Sequence, residues 1–258
     1  MRLTFLGTGT SFGVPQIGCD CEVCRSGDPR DKRTRSGALV ETDAGKRILI
    51  DTPPELRLQL IAANVDRVDA ILFTHEHADH IHGIDDVRAL SVRNRSALHM
   101  YGPAETVHTL EQRFAYIFDE RMRPLPGTTK PEGDLTTLVA GVPVEIAGER
   151  VLPIAVPHGH TMVFGYRIGA LGYVTDAKRL PPEALETLRG VRVLVLNALF
   201  WREHPTHLSV PEAIETAHAV GAERTYLTHL THDNFHAKLE AALPTGIFPA
   251  YDGLVVDI

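Results

Sequence analysis

The residues best suited to chemistry lie in one short stretch, the sequence THEHADH at positions 74–80, directly after a short apolar run. That run is β-branched and aromatic enough to predict a buried strand. His75 and His77 are two residues apart, so in an extended backbone they point to the same side. Asp79 and His80 follow where the chain must turn, and imidazole with carboxylate favours zinc, manganese or iron. The spacing predicts a metal site in preference to a polar loop that happens to contain histidines.

The same pattern, an apolar strand that ends in a histidine or an aspartate, occurs three more times in the second half of the chain. These strands lead into His158, Asp176 and His229. A sheet with such residues at its strand ends gathers them along one edge, where loops form a cleft. The convergence predicts a site for two metal ions.

The spacing of the first stretch resembles the signature of the metallo-β-lactamase superfamily. That resemblance implies an α+β fold, an αββα sandwich of two mixed sheets with helices outside, and a site for two divalent ions bridged by one aspartate. The implied ligands of the first ion are His75, His77 and His158, and those of the second ion are Asp79, His80 and His229. Asp176 is implied as the bridge between the two ions. Because no cysteine is among them, manganese competes with zinc.

The three cysteines of the chain form a second cluster, Cys19, Cys21 and Cys24. An odd number at such close spacing makes a poor disulfide framework but suits one tetrahedral metal ion, the alternative being free thiols in a surface loop. Glycines and prolines bracket the cluster, so a loop at about residues 13–30 is expected, with the metal as its staple. The motif resembles the phosphoribosyl cyclic phosphodiesterases of phosphonate breakdown, the PhnP family, and implies a structural zinc completed by His232.

A helix start is predicted at Val210, because Ser209 and Glu212 form a capping box. His207 would lie just ahead of that helix, in a region suited to an anion. The family resemblance implies that His207 acts at the scissile phosphate and protonates the leaving oxygen. His207 and Asp79 are the expected catalytic residues, and the alternative for His207 is a structural role in the loop.

Three further polar residues complete the candidate site. His160 and His204 are expected to contact the substrate phosphate. His160 is also the alternative to His158 as a metal ligand, and we favour His158 because it directly follows a strand. Asp51 ends another apolar run and is expected either to orient a ligand imidazole or to be a turn aspartate before Pro53.

The elements that must position these residues can be predicted coarsely. The chain alternates strands and helices without a repeat or an obvious linker, so one domain over residues 1–258 is expected. A hairpin is predicted over 36–51, and the segment 119–134, rich in proline, glycine and charge, is predicted to be a mobile loop beside the site. Helices are predicted over 55–63, 84–92 and 105–118.

Composition excludes several classes of protein. The net charge of −7 and the pI near 6.0 argue against broad attraction to nucleic acid. No apolar run approaches the ~20 residues that span a bilayer, and the first residues do not resemble a signal peptide. We therefore expect a cytoplasmic protein with no membrane partner.

The expected function is that of a metal-dependent hydrolase. The family resemblance narrows it to a phosphodiesterase for small cyclic phosphodiesters of the phosphoribosyl 1,2-cyclic phosphate type, in which two metal ions activate a water. The alternatives are a tRNA 3′-processing endoribonuclease, a lactone or thioester hydrolase of the same fold, and a non-catalytic metal-binding accessory protein. The expected binding partner is a small phosphodiester substrate and not nucleic acid. The oligomeric state that we consider is a homodimer.

Overall fold

The computed structural model describes residues 1–258 and forms fourteen strands. In chain order these are β1 (Arg2–Gly7), β2 (Gly37–Glu41), β3 (Arg47–Ile50), β4 (Ala70–Leu72), β5 (Leu98–Gly102), β6 (Gly133–Thr137), β7 (Val144–Ile146), β8 (Glu149–His158), β9 (Thr161–Ile168), β10 (Leu171–Val174), β11 (Val193–Asn197), β12 (Arg224–Thr228), β13 (Ile247–Pro249) and β14 (Val255–Asp257).

Eight α-helices join these strands. They are α1 (Leu56–Ala62), α2 (Ala78–Ile81), α3 (Arg88–Asn94), α4 (Ala104–Arg113), α5 (Ala115–Phe118), α6 (Pro182–Leu188), α7 (Val210–Val220) and α8 (His236–Ala242). None of them is both long and apolar enough to cross a membrane.

The strands form two seven-stranded mixed sheets, in the orders β14-β1-β2-β3-β4-β5-β6 and β13-β12-β11-β10-β9-β8-β7. In the first sheet the strands from β3 to β6 are parallel, and in the second sheet the strands from β10 to β13 are parallel. The carboxyl ends of each parallel set therefore lie at one edge, as the polar residues at the strand ends require.

The core shows the expected layer order. Ile48 and Ile50 of β3 pack against the second sheet, whereas Leu49 between them packs against helices, as the two-residue period of a strand requires. Tyr166 and Tyr173 of the second sheet fill the space between the sheets. The other face of that sheet is covered by α6, α7 and α8. The predicted αββα sandwich is confirmed.

Most predicted elements are found, with differences at three points. The hairpin of β2 and β3 is antiparallel as expected. The helix predicted over 105–118 is broken, because Phe114 leaves the helical conformation (φ −119°, ψ 39°). The segment 84–94 begins as a 3₁₀ turn and continues as α3, and the last two residues of the predicted loop 119–134 belong to β6, which pairs with β5. The strand β6 was not predicted because its first residues are a glycine and an aspartate, which are uncommon in strands.

Candidate metal centre

The predicted ligands of the first group come from two strand ends that the sandwich brings together. His75 and His77 follow β4 in extended backbone, and their rings lie with centres 4.5 Å apart. His158, the last residue of β8, lies 5.1 Å from His77 and 5.6 Å from His75, measured between ring centres. His160 is exposed in the turn between β8 and β9, so the structure brings His158 and not His160 to the other two histidines.

The second group comes from α2 and from the end of β12. Asp79 and His80 lie in the single turn of α2, and His229 directly follows β12. His80 Nε2 and His229 Nε2 lie 3.4 Å and 3.7 Å from Asp79 Oδ2. The turn of α2 therefore places the side chains of Asp79 and His80 beside each other and beside His229.

Asp176 lies between the two groups. Its Oδ1 is 3.5 Å from His80 Nε2 and 3.4 Å from His229 Nε2, while its Oδ2 is 3.8 Å from His75 Nε2. Burial opposes its ionisation, but His229 and His80 hold the pKa of the Asp176 carboxyl well below its ordinary value. An ionised carboxylate with one oxygen towards each group is the arrangement that a bridging ligand needs.

The backbone at this edge is strained where it must deliver side chains. Asp176 and His229 have φ of 57°, and Asp51 has φ of 63°, in the left-handed region. For residues with a side chain this conformation costs roughly 1–2 kcal/mol each. It turns the chain within two residues of the strand end, so that the side chain points towards the other polar residues.

These residues fit divalent metal ions. Two ligands at about 2.1 Å from one tetrahedral ion lie about 3.4 Å apart, close to the separations described above. His75 Nε2, His80 Nε2 and both ring nitrogens of His229 are buried without a hydrogen bond. Buried polar atoms are rarely left without a partner, and neutral imidazole nitrogens grouped with carboxylates are ordinary metal ligands. The donor atoms of the cluster therefore fit a divalent metal centre.

Neighbouring groups fix the orientation of three of these imidazoles. Asp51 Oδ2 is 2.7 Å from His80 Nδ1, and the backbone carbonyl of Thr206 is 3.0 Å from His158 Nδ1. Thr74 Oγ1 lies 3.0 Å from His75 Nδ1. Each contact occupies Nδ1 and leaves Nε2 for the centre. The residues that sequence reasoning missed are Thr74 and Thr206: the first adjoins the motif, while the second acts through its backbone and leaves no sequence signal.

His207 lies beside the two ligand groups. Its Nε2 is 3.1 Å from Asp176 Oδ2, and its Nδ1 is 2.8 Å from Thr206 Oγ1 and 3.3 Å from His204 Nδ1. The capping box of Ser209 and Glu212 starts α7 at Val210, as predicted. The loop that precedes α7 thus carries His204 and His207 together to the cleft.

A second cluster joins the N-terminal loop to the segment after β12. His232 Nδ1 lies 3.3 Å from Cys19 Sγ and 3.6 Å from both Cys21 Sγ and Cys24 Sγ. Three sulfurs and one nitrogen around a tetrahedral zinc would be about 3.5 Å from sulfur to nitrogen. The four residues fit one zinc ion, and the loop from Gly13 to Arg30 contains no strand or α-helix that could hold it in place otherwise.

Comparison with known proteins decides the family. The model of the β-lactamase superfamily domain matches residues 46–230. This chain belongs to that superfamily. The crystal structure of a new diphosphatase from the PhnP family is 39% identical, with a TM-score of 0.91, and covers 100% of this chain and 97% of that one. The expected resemblance to the PhnP family is confirmed, and the chain has the metallo-β-lactamase fold.

Other relatives carry different names. A protein of Porphyromonas gingivalis named octanoyltransferase is 41% identical over 98% of this chain and 51% of its own length. A ribonuclease Z of Bradyrhizobium is 30% identical over 72% of this chain and 54% of its own length. This chain spans about half the length of each of these two relatives. Zinc-bound PqqB from Methylobacterium extorquens, at 19% identity and a TM-score of 0.80 over the whole of both chains, shares the fold.

Proposed function

We propose that this chain is a dinuclear metal-dependent hydrolase of small phosphodiesters, with cyclic phosphodiesters of the phosphoribosyl type as its preferred substrates. The observation that carries the proposal is the position of His207. The imidazole of His207, which is outside the two predicted ligand groups, lies 3.1 Å from the carboxylate between them and within 4.8 Å of the donor atoms of Asp176 and His229. A proton donor beside a pair of metal sites suits a reaction in which water attacks phosphorus and an alkoxide leaves.

The expected metal ions, zinc or manganese, would supply an activated water and neutralise the charge of the phosphoryl group. His207 would hold a proton on Nε2 and transfer it to the leaving oxygen as the bond between phosphorus and that oxygen breaks. Burial lowers the pKa of His207 below its ordinary value, against the opposing effect of Asp176, so the imidazolium that donates the proton is a stronger acid but the minority form at neutral pH. Thr206 Oγ1 and His204 Nδ1 orient the ring from the other side.

Charge supports a small substrate over a long RNA. The chain has 26 basic against 33 acidic residues and a net charge of −7, so a polyanion would meet net repulsion from the protein. His160, exposed at the tip of the hairpin between β8 and β9, and His204 are the residues proposed to contact the phosphate. A compact diester needs only these contacts and the metal ions.

A diphosphate linkage is a second candidate, because the 39% identical member of the PhnP family is described as a diphosphatase. Both substrates present a disubstituted phosphoryl group to the centre. They differ in the leaving group, since an alkoxide needs a proton at departure whereas a phosphate, with a second pKa near 6, needs little assistance. Dependence on His207 therefore separates the two substrate classes.

The test is a comparison of kcat/KM on a cyclic ribose phosphate, bis(p-nitrophenyl) phosphate, a nucleoside diphosphate ester, a lactone, a thioester and precursor tRNA, with manganese and with zinc. His207→Ala should lower kcat on the cyclic phosphate by about 10²–10⁴, the usual range for a general acid, and by much less on the p-nitrophenyl ester. His108→Ala is the matched control, because His108 is exposed on α4 and contacts only Gln112 among polar side chains.

Each alternative function predicts a different result in the same assay. Efficient tRNA cleavage with negligible turnover of the cyclic phosphate would reverse the ranking in favour of RNA processing. Turnover of the lactone or thioester alone would point to acyl hydrolysis. Absence of turnover on every substrate by protein that retains its metals would favour a non-catalytic accessory role.

A further inference from the structure

The strand between those that carry Asp176 and His229 supplies no metal ligand. β11 pairs in parallel with β10 on one side and with β12 on the other, and its last residue is Asn197, opposite Thr228. Asn197 is fully buried. In the sequence it ends the apolar run VLVL at 193–196, so it repeats the pattern of a strand with a polar last residue, this time with an amide.

Both polar atoms of the Asn197 side chain bind the backbone of one neighbouring residue. Asn197 Oδ1 accepts a hydrogen bond from the N–H of Ala177 at 2.8 Å, and Asn197 Nδ2 donates to the carbonyl of Ala177 at 3.1 Å. The same carbonyl accepts a third bond, from the N–H of Leu208 at 2.8 Å. Ala177 directly follows Asp176, and Leu208 directly follows His207. One buried amide therefore ties together the two backbone segments that carry those side chains.

We infer that Asn197 is a positioning residue for the metal centre. It holds the peptide after Asp176 so that Asp176 keeps its left-handed backbone, with φ of 57°, and directs one oxygen to each ligand group. Through the shared carbonyl of Ala177 it also fixes the loop of His207, and with it the 3.1 Å separation of His207 Nε2 from Asp176 Oδ2. The part concerning His207 rests on the proposed function, whereas the part concerning Asp176 does not.

We call this set of hydrogen bonds from Asn197 to Ala177 the clamp. It is needed because residues beyond the end of a strand are no longer held by the backbone hydrogen bonds of the sheet. The left-handed conformation of Asp176 is unfavourable on its own and persists only where surrounding bonds impose it. Small displacements matter at this position, because a misplacement of about 1 Å in a reacting geometry can cost on the order of 100-fold in rate. An asparagine can donate and accept at once, which is what the N–H and carbonyl of a single residue require.

The test uses two readouts on the full chain. In Asn197→Ala, the Kd for Mn²⁺ in the metal-stripped protein, measured by titration calorimetry, should rise about 10–100-fold, as for other groups that orient metal ligands. The ratio of kcat on an alkyl to an aryl phosphodiester should fall at least about 10-fold, because the acid is displaced. Asn197→Ser, which replaces the amide by a shorter hydroxyl group that can still donate or accept, should show smaller changes of the same sign and serves if the alanine variant does not fold.

Gln59→Ala is the matched control. Gln59 is also a buried amide that donates to a backbone carbonyl, that of Arg35 at 2.9 Å, but it belongs to α1 and does not contact the metal centre. Both substitutions should lower Tm, and only those at Asn197 should change the Kd for Mn²⁺ and the leaving-group ratio. If Asn197→Ala lowers Tm like the control and leaves both quantities unchanged, Asn197 is merely structural and the inference is wrong. If the wild type turns over no phosphodiester, the proposed function fails, while the Kd still tests the clamp.

Discussion

Replacing Asp51 by asparagine should weaken metal binding while the fold is retained. Asp51 is fully buried, and its Oδ2 lies 2.7 Å from His80 Nδ1 and accepts from Thr74 Oγ1 at 2.8 Å. Its Oδ1 accepts from the N–H of Thr74 at 2.8 Å. A carboxylate only accepts, so it keeps the proton of His80 on Nδ1 and leaves Nε2 for the metal. In either orientation an asparagine turns its NH₂ group towards a donor, the N–H of Thr74 or that of His80.

The expected magnitude is a 10–100-fold loss in affinity for the ion held by His80, the range for groups that orient a ligand histidine. At about 1.4 kcal/mol per tenfold this is about 1.4–2.8 kcal/mol of binding free energy. The assay is titration of the metal-stripped protein with Mn²⁺ and Zn²⁺. Asp252→Asn is the matched control, since Asp252 also accepts from a threonine N–H and two threonine hydroxyls but does not contact the centre. Equal affinities in wild type and Asp51→Asn would show that Asp51 is only a turn aspartate.

Two further predictions concern the metals directly. Cys21→Ala should lower Tm and remove about one equivalent of zinc, while the ions at the histidine and aspartate cluster stay bound. If elemental analysis finds no zinc in wild-type protein with intact thiols, the structural zinc site is contradicted. Burial would lower the pKa of His80, but Asp176, Asp79 and Asp51 raise it well above its ordinary value, so the metal-free ring keeps its proton to a higher pH than a free imidazole does. Metal binding at pH 7 should therefore release about one proton, and the affinity for the metal should rise with pH. The measurement is calorimetry in buffers of different ionisation enthalpy. An observed heat of metal binding that is the same in every buffer would show that no proton is released.

The ligands could be predicted because their signals are local. The motif at 75–80 spans only six residues, and each of His158, Asp176 and His229 ends an apolar run that identifies its strand. Their convergence followed from the placement of strand ends in a sheet. The layer order of the sandwich came from the family resemblance, because periodicity shows that a face is buried and does not show what covers it.

Contacts between distant segments could not be predicted. The carbonyl of Thr206 orients His158 from 48 positions away, and a backbone group has no residue type that could reveal it. The amide of Asn197 follows the same strand-end pattern as the ligands, but asparagine is a weak metal ligand, so a search for metal donors passes over it. The break at Phe114 is equally hidden, because the apolar residues on both sides keep a helical spacing.

The dinuclear metal site is tested most directly by anomalous diffraction from crystals of the metal-loaded protein, with data collected above the zinc and the manganese absorption edges. Two ions about 3.5–4 Å apart are expected on either side of Asp176. A zinc ion is expected among Cys19, Cys21, Cys24 and His232. A single ion held by only one of the two groups around Asp176 would contradict the dinuclear site and, with it, the proposed reaction.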